Sequence, residues 1–260
     1  MADQLDSSQI KKFITTSPKP VVDTFAQIDS TQTYSLKHQF ITPHVVIADH
    51  QTQGRGQRGH RFYSPKSSGI YMTITLPAKQ RFIMKPGVLT AGLGVAVIKA
   101  IQPYVQKRIN LKWMNDIYLD QRKCGGLLVE THSTSDNSIR SFVIGIGLNL
   151  YTHSFPKSIQ QRAGYLFSHQ PLVSRNQLIA RIYDYLVKMA RASDQDILND
   201  YEKRLIWIHQ SVTYQINGRQ QIGRVLGIDD MARLLVEDQQ QQIHHLNYRD
   251  ASQVRLLQTR

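Results

Sequence analysis

Residues 51–61 read Gln-Thr-Gln-Gly-Arg-Gly-Gln-Arg-Gly-His-Arg and combine three glycines with three arginines. Glycines let a backbone approach a ligand closely and arginines supply positive charge, so this segment suits a phosphate or a carboxylate. Gly54, Gly56 and Gly59 satisfy the spacing Gly-x-Gly-x-x-Gly, but no convincing βαβ unit with a ribose-binding acid follows them. A surface loop rich in arginine is an equally good interpretation of this segment alone.

A second segment, from Lys112 to Glu130, brackets a hairpin with charged and amide side chains. It contains the pair Asn115-Asp116, and its Lys123 stands two positions before Gly-Gly. Positive charge and an open backbone therefore converge again. If Lys112 or Lys123 is considered alone, the simpler interpretation is an ordinary lysine at the end of a strand.

A third segment, Gly145-Ile-Gly147-Leu-Asn149, places glycines inside an apolar strand. Such glycines mark the close approach of a ligand or of a neighbouring backbone. Asn149 is then expected to lie near whatever approaches.

The charge of the chain also indicates an anionic ligand. The 260 residues carry 32 Lys and Arg against 19 Asp and Glu, a net charge of +13. Residues 50–115 contain 11 Lys or Arg and no carboxylate. This tract predicts a surface built around a bound anion. On charge alone, a solvated basic face or non-specific attraction to nucleic acid stays an alternative.

Composition favours a cytoplasmic protein without a membrane span. The single cysteine, Cys124, excludes an intramolecular disulfide and a cysteine-based zinc site. The longest nearly unbroken apolar run covers residues 88–101 and is too short to cross a bilayer. The first residues carry acids where a signal peptide carries basic residues.

Hydrophobic periodicity predicts strands and two long helices, and the predicted strands become shorter and more closely spaced after about residue 210. The predicted helices cover residues 86–101 and 175–191. The predicted strands cover residues 21–28, 45–48, 70–76, 111–113, 117–119, 126–130 and 142–150. Short, closely spaced strands follow and are typical of a small β-barrel. We therefore divide the chain into a loose lead-in at 1–20, a main domain at 21–210 and a small domain at 211–260.

In this order and spacing, the three segments resemble the catalytic domain of biotin protein ligase, the enzyme that attaches biotin to the carrier domains of carboxylases. The resemblance runs from about Val21 into the C-terminal strands and includes the Asp29-Ser30-Thr31 turn. It implies an α+β fold in which a mixed sheet with helices, akin to the class II synthetase core, precedes an SH3-like barrel. It also predicts the monofunctional type, which lacks an N-terminal DNA-binding domain.

The resemblance further implies roles for fifteen residues. Biotin is expected to contact Ser30, Thr31, Gln51, Gly54, Arg55, Lys123, Gly126 and Gly145. ATP or the adenylate is expected to contact Arg55, Gln57, Arg58, Lys112, Asn115, Asp116, Gly147 and Asn149. Lys123, Arg55 and Asp116 are expected to be catalytic, and Asp116 to bind Mg²⁺. The aromatic side chain that stacks on adenine is not assigned.

The implied reaction joins biotin to ATP, giving biotinyl-5′-AMP and pyrophosphate, before an acceptor lysine displaces AMP. Because two anions must approach each other, positioning and cationic stabilisation should dominate catalysis. The expected partner is the biotin carboxyl carrier domain of acetyl-CoA or pyruvate carboxylase. No specific nucleic acid and no membrane are expected, and a homodimer is compatible with this function.

One departure and two alternatives accompany this interpretation. Gln57 stands where the family commonly has an arginine that helps to retain the adenylate, which implies weaker retention here. A lipoate or octanoate ligase or transferase shares the core fold, but the polar residues Ser30, Thr31 and Gln51 favour a ureido ring over a plain acyl chain. A basic nucleic-acid-binding module is supported by charge alone.

Overall fold

The structure, a computed structural model, describes residues 4–152, 154–216, 218–248 and 251–257. Its larger sheet has seven strands: β1 (Val21–Phe25), β2 (His44–Ala48), β3 (Gly69–Pro77), β4 (Ile109–Lys112), β5 (Asp116–Leu119), β6 (Arg122–Ser133) and β7 (Ile139–Asn149). Their order is β1-β2-β3-β7-β6-β5-β4. Strands β1 and β2 are parallel, and the other neighbours are antiparallel. The sheet is therefore mixed, as predicted.

Six α-helices accompany the strands in the described ranges: α1 (Ser7–Phe13), α2 (Thr31–His38), α3 (Gln80–Met84), α4 (Pro86–Ile101), α5 (Arg175–Met189) and α6 (Asp194–Glu202). Helix α4 begins at Pro86, a residue favoured at the first helical position, and nearly all of its residues are buried against α5, α6 and the sheet. The stretch Pro86–Tyr104 is long and apolar enough to cross a membrane, but most of it is buried inside the fold. It serves here as the central core helix.

Strand β7 separates the hydrophobic core from the opposite face of the sheet. Successive side chains of a strand point to opposite faces. Ile144, Ile146 and Leu148 belong to the hydrophobic core. A Cβ at Gly145 or Gly147 would instead meet side chains from α2 and from the loop after β2. The glycines thus keep one face of the strand open.

A second, antiparallel sheet follows. It consists of β8 (Ser211–Ile216), β9 (Arg219–Ile228), β10 (Leu234–Asp238), β11 (Ile243–Leu246) and β12 (Ala251–Leu256), in the order β11-β10-β9-β8-β12. The predicted α+β class and the small C-terminal β-structure, consistent with an SH3-like domain, are confirmed. The domain boundaries at residues 20 and 210 stay predictions.

The expectation of a loose N-terminal lead-in is wrong. Asp6 caps helix α1 by accepting backbone N–H groups of its first turn, and Ile10 and Ile14 are fully buried in the main core. The Asp184 carboxylate of α5 accepts from the backbone N–H and the hydroxyl of Thr15 at 3.0 and 2.6 Å. Because a short polar helix is stabilised by tertiary packing, its sequence alone gave little signal.

Candidate active site

A cavity of about 1250 Å³ lies over the open face of β7 and extends to the second sheet. Fourteen of the fifteen predicted site residues line it: Ser30, Thr31, Gln51, Arg55, Gln57, Arg58, Lys112, Asn115, Asp116, Lys123, Gly126, Gly145, Gly147 and Asn149. Antiparallel pairing of β6 with β7 places Gly126 opposite Gly147. Residues from three separate segments therefore meet in one space.

One end of the cavity, which we call the polar end, is a network of neutral hydrogen bonds around Ser30, Thr31, Gln51, Ser64 and Thr73. Ser30 caps helix α2. The Gln51 side-chain oxygen accepts from the Thr31 backbone N–H at 2.9 Å and from its hydroxyl at 3.2 Å, while Gln51 Nε2 donates to Ser64 Oγ at 2.9 Å. The Thr73 hydroxyl donates to Thr31 Oγ1 at 2.9 Å. These bonds hold Thr31 and Gln51 in defined orientations.

Gly54 is the predicted site residue that does not line the cavity. A Cβ there would lie 2.4 Å from the Phe62 carbonyl oxygen and 3.0 Å from Gln51 Nε2. Gly54 therefore allows the loop to pack directly behind Gln51. Gly147 makes room for the Phe62 ring at the cavity wall, because a Cβ there would lie 2.7 Å from that ring.

The other end, which we call the cationic end, is formed by Lys112, Lys123 and Asp116 beside Trp207. Lys123 Nζ lies 2.5 Å from Asp116 Oδ1. Lys112 Nζ lies 5.0 Å from the centre of the Trp207 ring. Burial chiefly, with a contribution from the Lys123 charge, holds the pKa of Lys112 below its ordinary value, although Asp116 opposes this shift. Two lysines facing one carboxylate leave a net positive charge.

Two asparagines near the cavity differ in how their amides are used. Asn115 Nδ2 donates to the Leu127 carbonyl oxygen at 2.7 Å, so this side chain joins the β4–β5 turn to β6. Asn149 Nδ2 donates to the Gly164 carbonyl oxygen at 3.0 Å. Within the described ranges, Asn149 Oδ1 is buried and has no hydrogen-bond partner. Because an unpaired buried acceptor is costly, this oxygen is suited to accept from a ligand.

The glycine-arginine loop, residues 54–61, is tied to the sheet by polar contacts. Arg55 Nη2 lies 2.8 Å from Glu130 Oε1, and Gln32 Nε2 donates to the other oxygen of the same carboxylate at 2.9 Å. Gln57 Nε2 donates to the Leu127 carbonyl oxygen at 3.1 Å. The loop therefore covers the middle of the cavity.

The second sheet also contacts this loop, through Tyr248 in the connection between β11 and β12. Its hydroxyl donates to Gln57 Oε1. Arg58 Nη2 donates to the Tyr248 carbonyl oxygen at 2.7 Å, and the Arg58 guanidinium lies 4.7 Å from the centre of the tyrosine ring. A residue 191 positions away in the sequence thus contributes to the cavity.

Sequence reasoning missed several residues that line or support the cavity: Gln32, Phe62, Glu130, Arg162, Trp207, Tyr248 and Arg255. Gln32 directly follows Thr31, and Glu130 ends the second segment, so their positions offered a local signal. Arg255 lies on β12 and the others lie in connections, and the sequence pattern around them carries no such signal.

The carboxylates near the cavity limit how a metal ion could be bound. In the part of the chain that the structure describes, no three His, Cys, Asp or Glu residues could hold a metal ion together. Mg²⁺ is commonly bound by one or two carboxylates together with substrate phosphates and water. The single carboxylate of Asp116 therefore fits a Mg²⁺ that arrives with a nucleotide, rather than an all-protein site.

Comparison with known proteins identifies a similar family. Residues 24–149 match the biotin/lipoate A/B protein ligase family, and all fifteen predicted site residues fall within this stretch. The chain therefore contains a segment, just under half of its length, that is similar to the biotin/lipoate A/B protein ligase family. The predicted resemblance to biotin protein ligases is thereby confirmed.

Relatives in this ligase family cover most of the chain. The bifunctional ligase/repressor BirA of Escherichia coli is 28% identical over 218 residues, which is 81% of this chain and 67% of that protein. The biotin--[acetyl-CoA-carboxylase] ligase of Mycobacterium tuberculosis is 26% identical over 201 residues, 74% of this chain and 73% of that protein. The solved biotin protein ligase from Aquifex aeolicus in complex with biotin and ATP has a TM-score of 0.78 at 22% identity and covers 91% of this chain and 99% of that one. At this identity, the structural similarity establishes the fold.

Proposed function

We propose that this chain is an ATP-dependent biotin protein ligase, which activates biotin to biotinyl-5′-AMP and transfers the biotinyl group to a lysine of a biotin carboxyl carrier domain. One observation carries the proposal: a single cavity joins a neutral polar end to a cationic end. The substrates have the same division, because biotin carries a polar ureido ring and its carboxylate must meet a triphosphate. Relatives named as biotin ligases support the assignment.

The polar end would receive the ureido ring of biotin. This ring offers two N–H donors and one carbonyl acceptor, so it needs side chains that both accept and donate. Ser30, Thr31 and Gln51 provide such groups on a buried, hydrogen-bonded frame. Gly145 leaves the adjacent wall open, because a Cβ there would lie 2.7 Å from Gln32 Oε1.

In the first half-reaction, a carboxylate oxygen of biotin attacks the α-phosphorus of ATP and pyrophosphate leaves. Lys123, Lys112 and Arg55 would reduce the repulsion between the two anions and stabilise the charge that develops in the transition state. Asp116 would hold a Mg²⁺ ion that arrives with the nucleotide, and this ion would supply further positive charge. No protein nucleophile is required, so the cavity acts by positioning and electrostatics.

In the second half-reaction, the acceptor lysine amine attacks the carbonyl carbon of the mixed anhydride. The bond to the phosphate oxygen breaks, AMP leaves with the electron pair, and the amine loses its proton to water. The glycine-arginine loop would exclude water until the acceptor arrives, because the anhydride hydrolyses readily.

The proposed acceptor is the carrier domain of acetyl-CoA or pyruvate carboxylase. Acetyl-CoA carboxylase appears in the name of the Mycobacterium tuberculosis relative. We place the reaction in the cytoplasm. One chain supplies all fifteen site residues, so a homodimer is compatible with this chemistry but not required by it.

The proposal is tested by incubating the protein with biotin, MgATP and a carboxylase carrier domain. We expect one biotinyl group on one lysine of the carrier, detected by mass spectrometry. Lys123→Ala should abolish labelling. Lys66→Ala is the matched control, because Lys66 is an exposed lysine of the acid-free tract at residues 50–115 and does not line the cavity. Absence of biotin transfer by the unmodified protein would contradict the proposal.

The two alternatives are tested in parallel. A lipoyl domain with lipoate or octanoate replaces the carrier and biotin, and preferential modification of that domain would assign the protein to lipoate or octanoate transfer. Filter binding to random duplex DNA at physiological salt tests the nucleic-acid alternative. We expect neither, because the polar end suits a ureido ring better than a plain acyl chain, and because Arg55 and Lys123 are paired with carboxylates at the cavity.

A further inference from the structure

Gln57 connects the two sheets through opposite ends of its amide. Its Nε2 donates to the Leu127 carbonyl oxygen of β6 at 3.1 Å. Its Oε1 accepts from the hydroxyl of Tyr248 in the second sheet. The adjacent Arg58 donates to the Tyr248 carbonyl oxygen at 2.7 Å and lies over its ring. Tyr248 therefore holds two consecutive residues of the glycine-arginine loop.

The residue type at position 57 determines how this contact is made. An arginine, which the resemblance leads one to expect there, has five N–H donors and no acceptor. It could donate to the Leu127 carbonyl oxygen but could not accept from a tyrosine hydroxyl. Glutamine can do both. Gln57 meets the tyrosine hydroxyl as a neutral acceptor, whereas an arginine could meet it only as a charged donor.

We infer that Tyr248 is a positioning residue that holds the glycine-arginine loop over the cavity through Gln57, and so sets how long biotinyl-5′-AMP stays bound. The second part rests on the proposed function. At position 57, where the family commonly has a positive charge, this chain has a neutral hydrogen bond to the second sheet. That bond helps to retain the adenylate. The second sheet is accordingly part of the active site.

Limited trypsin digestion of the full-length protein tests the loop contact without any ligase chemistry. The loop contains Arg55, Arg58 and Arg61, and cleavage after them requires the loop to leave its packed position, so its rate follows the population of the open form. Tyr248→Phe keeps the ring and removes only the hydroxyl. Loss of one neutral hydrogen bond should raise the cleavage rate about three- to tenfold.

Three further variants define the contact. Gln57→Met removes the acceptor together with the bond to Leu127, so it should accelerate cleavage at least as much as Tyr248→Phe. The double variant should be no faster than Gln57→Met alone, because that change already removes the bond to Tyr248. Tyr214→Phe is the matched control, since Tyr214 lies on β8 of the same sheet and does not line the cavity. Unchanged cleavage in both Tyr248→Phe and Gln57→Met would overturn the inference.

Pyrophosphate release without an acceptor protein tests retention. A first turnover gives a burst, and each escaped adenylate then permits another turnover. Tyr248→Phe should raise the ratio of the steady rate to the burst rate about three- to tenfold. A burst rate and a steady rate that fall together, with an unchanged ratio, would show a general structural role and reject the positioning role. If the unmodified protein releases no pyrophosphate with biotin, the proposed function fails, while the trypsin series still decides whether Tyr248 holds the loop.

Discussion

The two ends of the cavity are built in different ways. At the polar end, Ser30 and Thr31 are 1% and 3% exposed, and their hydrogen bonds stay within the protein. At the cationic end and in the loop beside it, the side chains of Lys123 and Arg55 are 38% and 40% exposed. Each of these cations is paired with a carboxylate of the protein.

This difference suits the polar end to ligand selection and the cationic end to the reaction itself. Buried neutral groups in fixed orientations select a ligand by its pattern of donors and acceptors, because an unmatched buried group is costly. Partly exposed ion pairs contribute about 0–1 kcal/mol, so Lys123 and Arg55 can exchange a protein carboxylate for a substrate anion at little cost. Under the proposed function, Asp116 and Glu130 would pair with these cations until the substrate anions bind.

The largest expected effect follows from removing the lysine of the cationic end. Lys123→Ala should slow adenylate formation about 100- to 1000-fold, as expected when a group that stabilises transition-state charge is lost. Biotin affinity should change far less. Biotin-dependent exchange of pyrophosphate into ATP measures the rate, and Lys66→Ala serves as control. Equal losses of rate and biotin affinity would place Lys123 in ground-state binding instead.

The depressed pKa of Lys112 predicts a pH dependence at the same end. Lys112 is cationic below its pKa, so it loses its charge at a lower pH than an ordinary lysine as the pH rises. The kcat/KM for ATP should therefore fall about tenfold, the effect of losing a charged hydrogen bond, below the ordinary lysine range. Lys112→Arg should move this fall to higher pH, because arginine stays charged. Superimposable pH profiles for the two proteins would refute the assignment.

At the polar end, Thr31→Val removes one hydroxyl from the network while keeping the shape of the side chain. The KM for biotin should rise about three- to tenfold, and the KM for ATP should stay within about twofold. Thr33→Val, on the same helix but away from the cavity, is the matched control. If both Michaelis constants rise together, the division between the two ends is wrong.

The smallest effect concerns the ion pair that holds the loop arginine. Glu130→Gln removes the negative charge beside Arg55 with little change of shape. The KM for ATP should fall about two- to threefold, in keeping with the modest energy of an exposed pair. Asp200→Asn provides a control, since it weakens the pair with Lys99 outside the cavity. A rise in the KM for ATP would show that Glu130 positions Arg55 rather than neutralising it.

Much of the site was predictable because its signals are local. Glycines beside cations mark the loop and the β5–β6 hairpin, and glycines within an apolar strand mark β7. Pairing of neighbouring antiparallel strands then brings these segments together. Helix α4 was predicted with its observed bounds, because an apolar run begins at a proline and continues for 16 residues.

The remaining features depend on tertiary contacts between distant segments. Helix α1 is stabilised by packing against α5, which its own composition does not reveal. The partners Arg55 and Glu130 are 75 positions apart, and nothing local in the sequence joins them. The contact of Tyr248 with the loop requires the second sheet to be placed over the first. Such pairings become visible only once the fold is known.

The two-faced character of β7 has a consequence for how this chain tolerates insertions. One extra residue within the strand would reverse its faces beyond that point, turning isoleucines toward the substrates and bare glycines toward the core. Folding and ligand recognition would be lost in a single step. An insertion in the exposed turn at residues 134–138, which joins β6 to β7, would leave both faces in register. Length changes in this chain are therefore expected to accumulate at that tip and not in the strand.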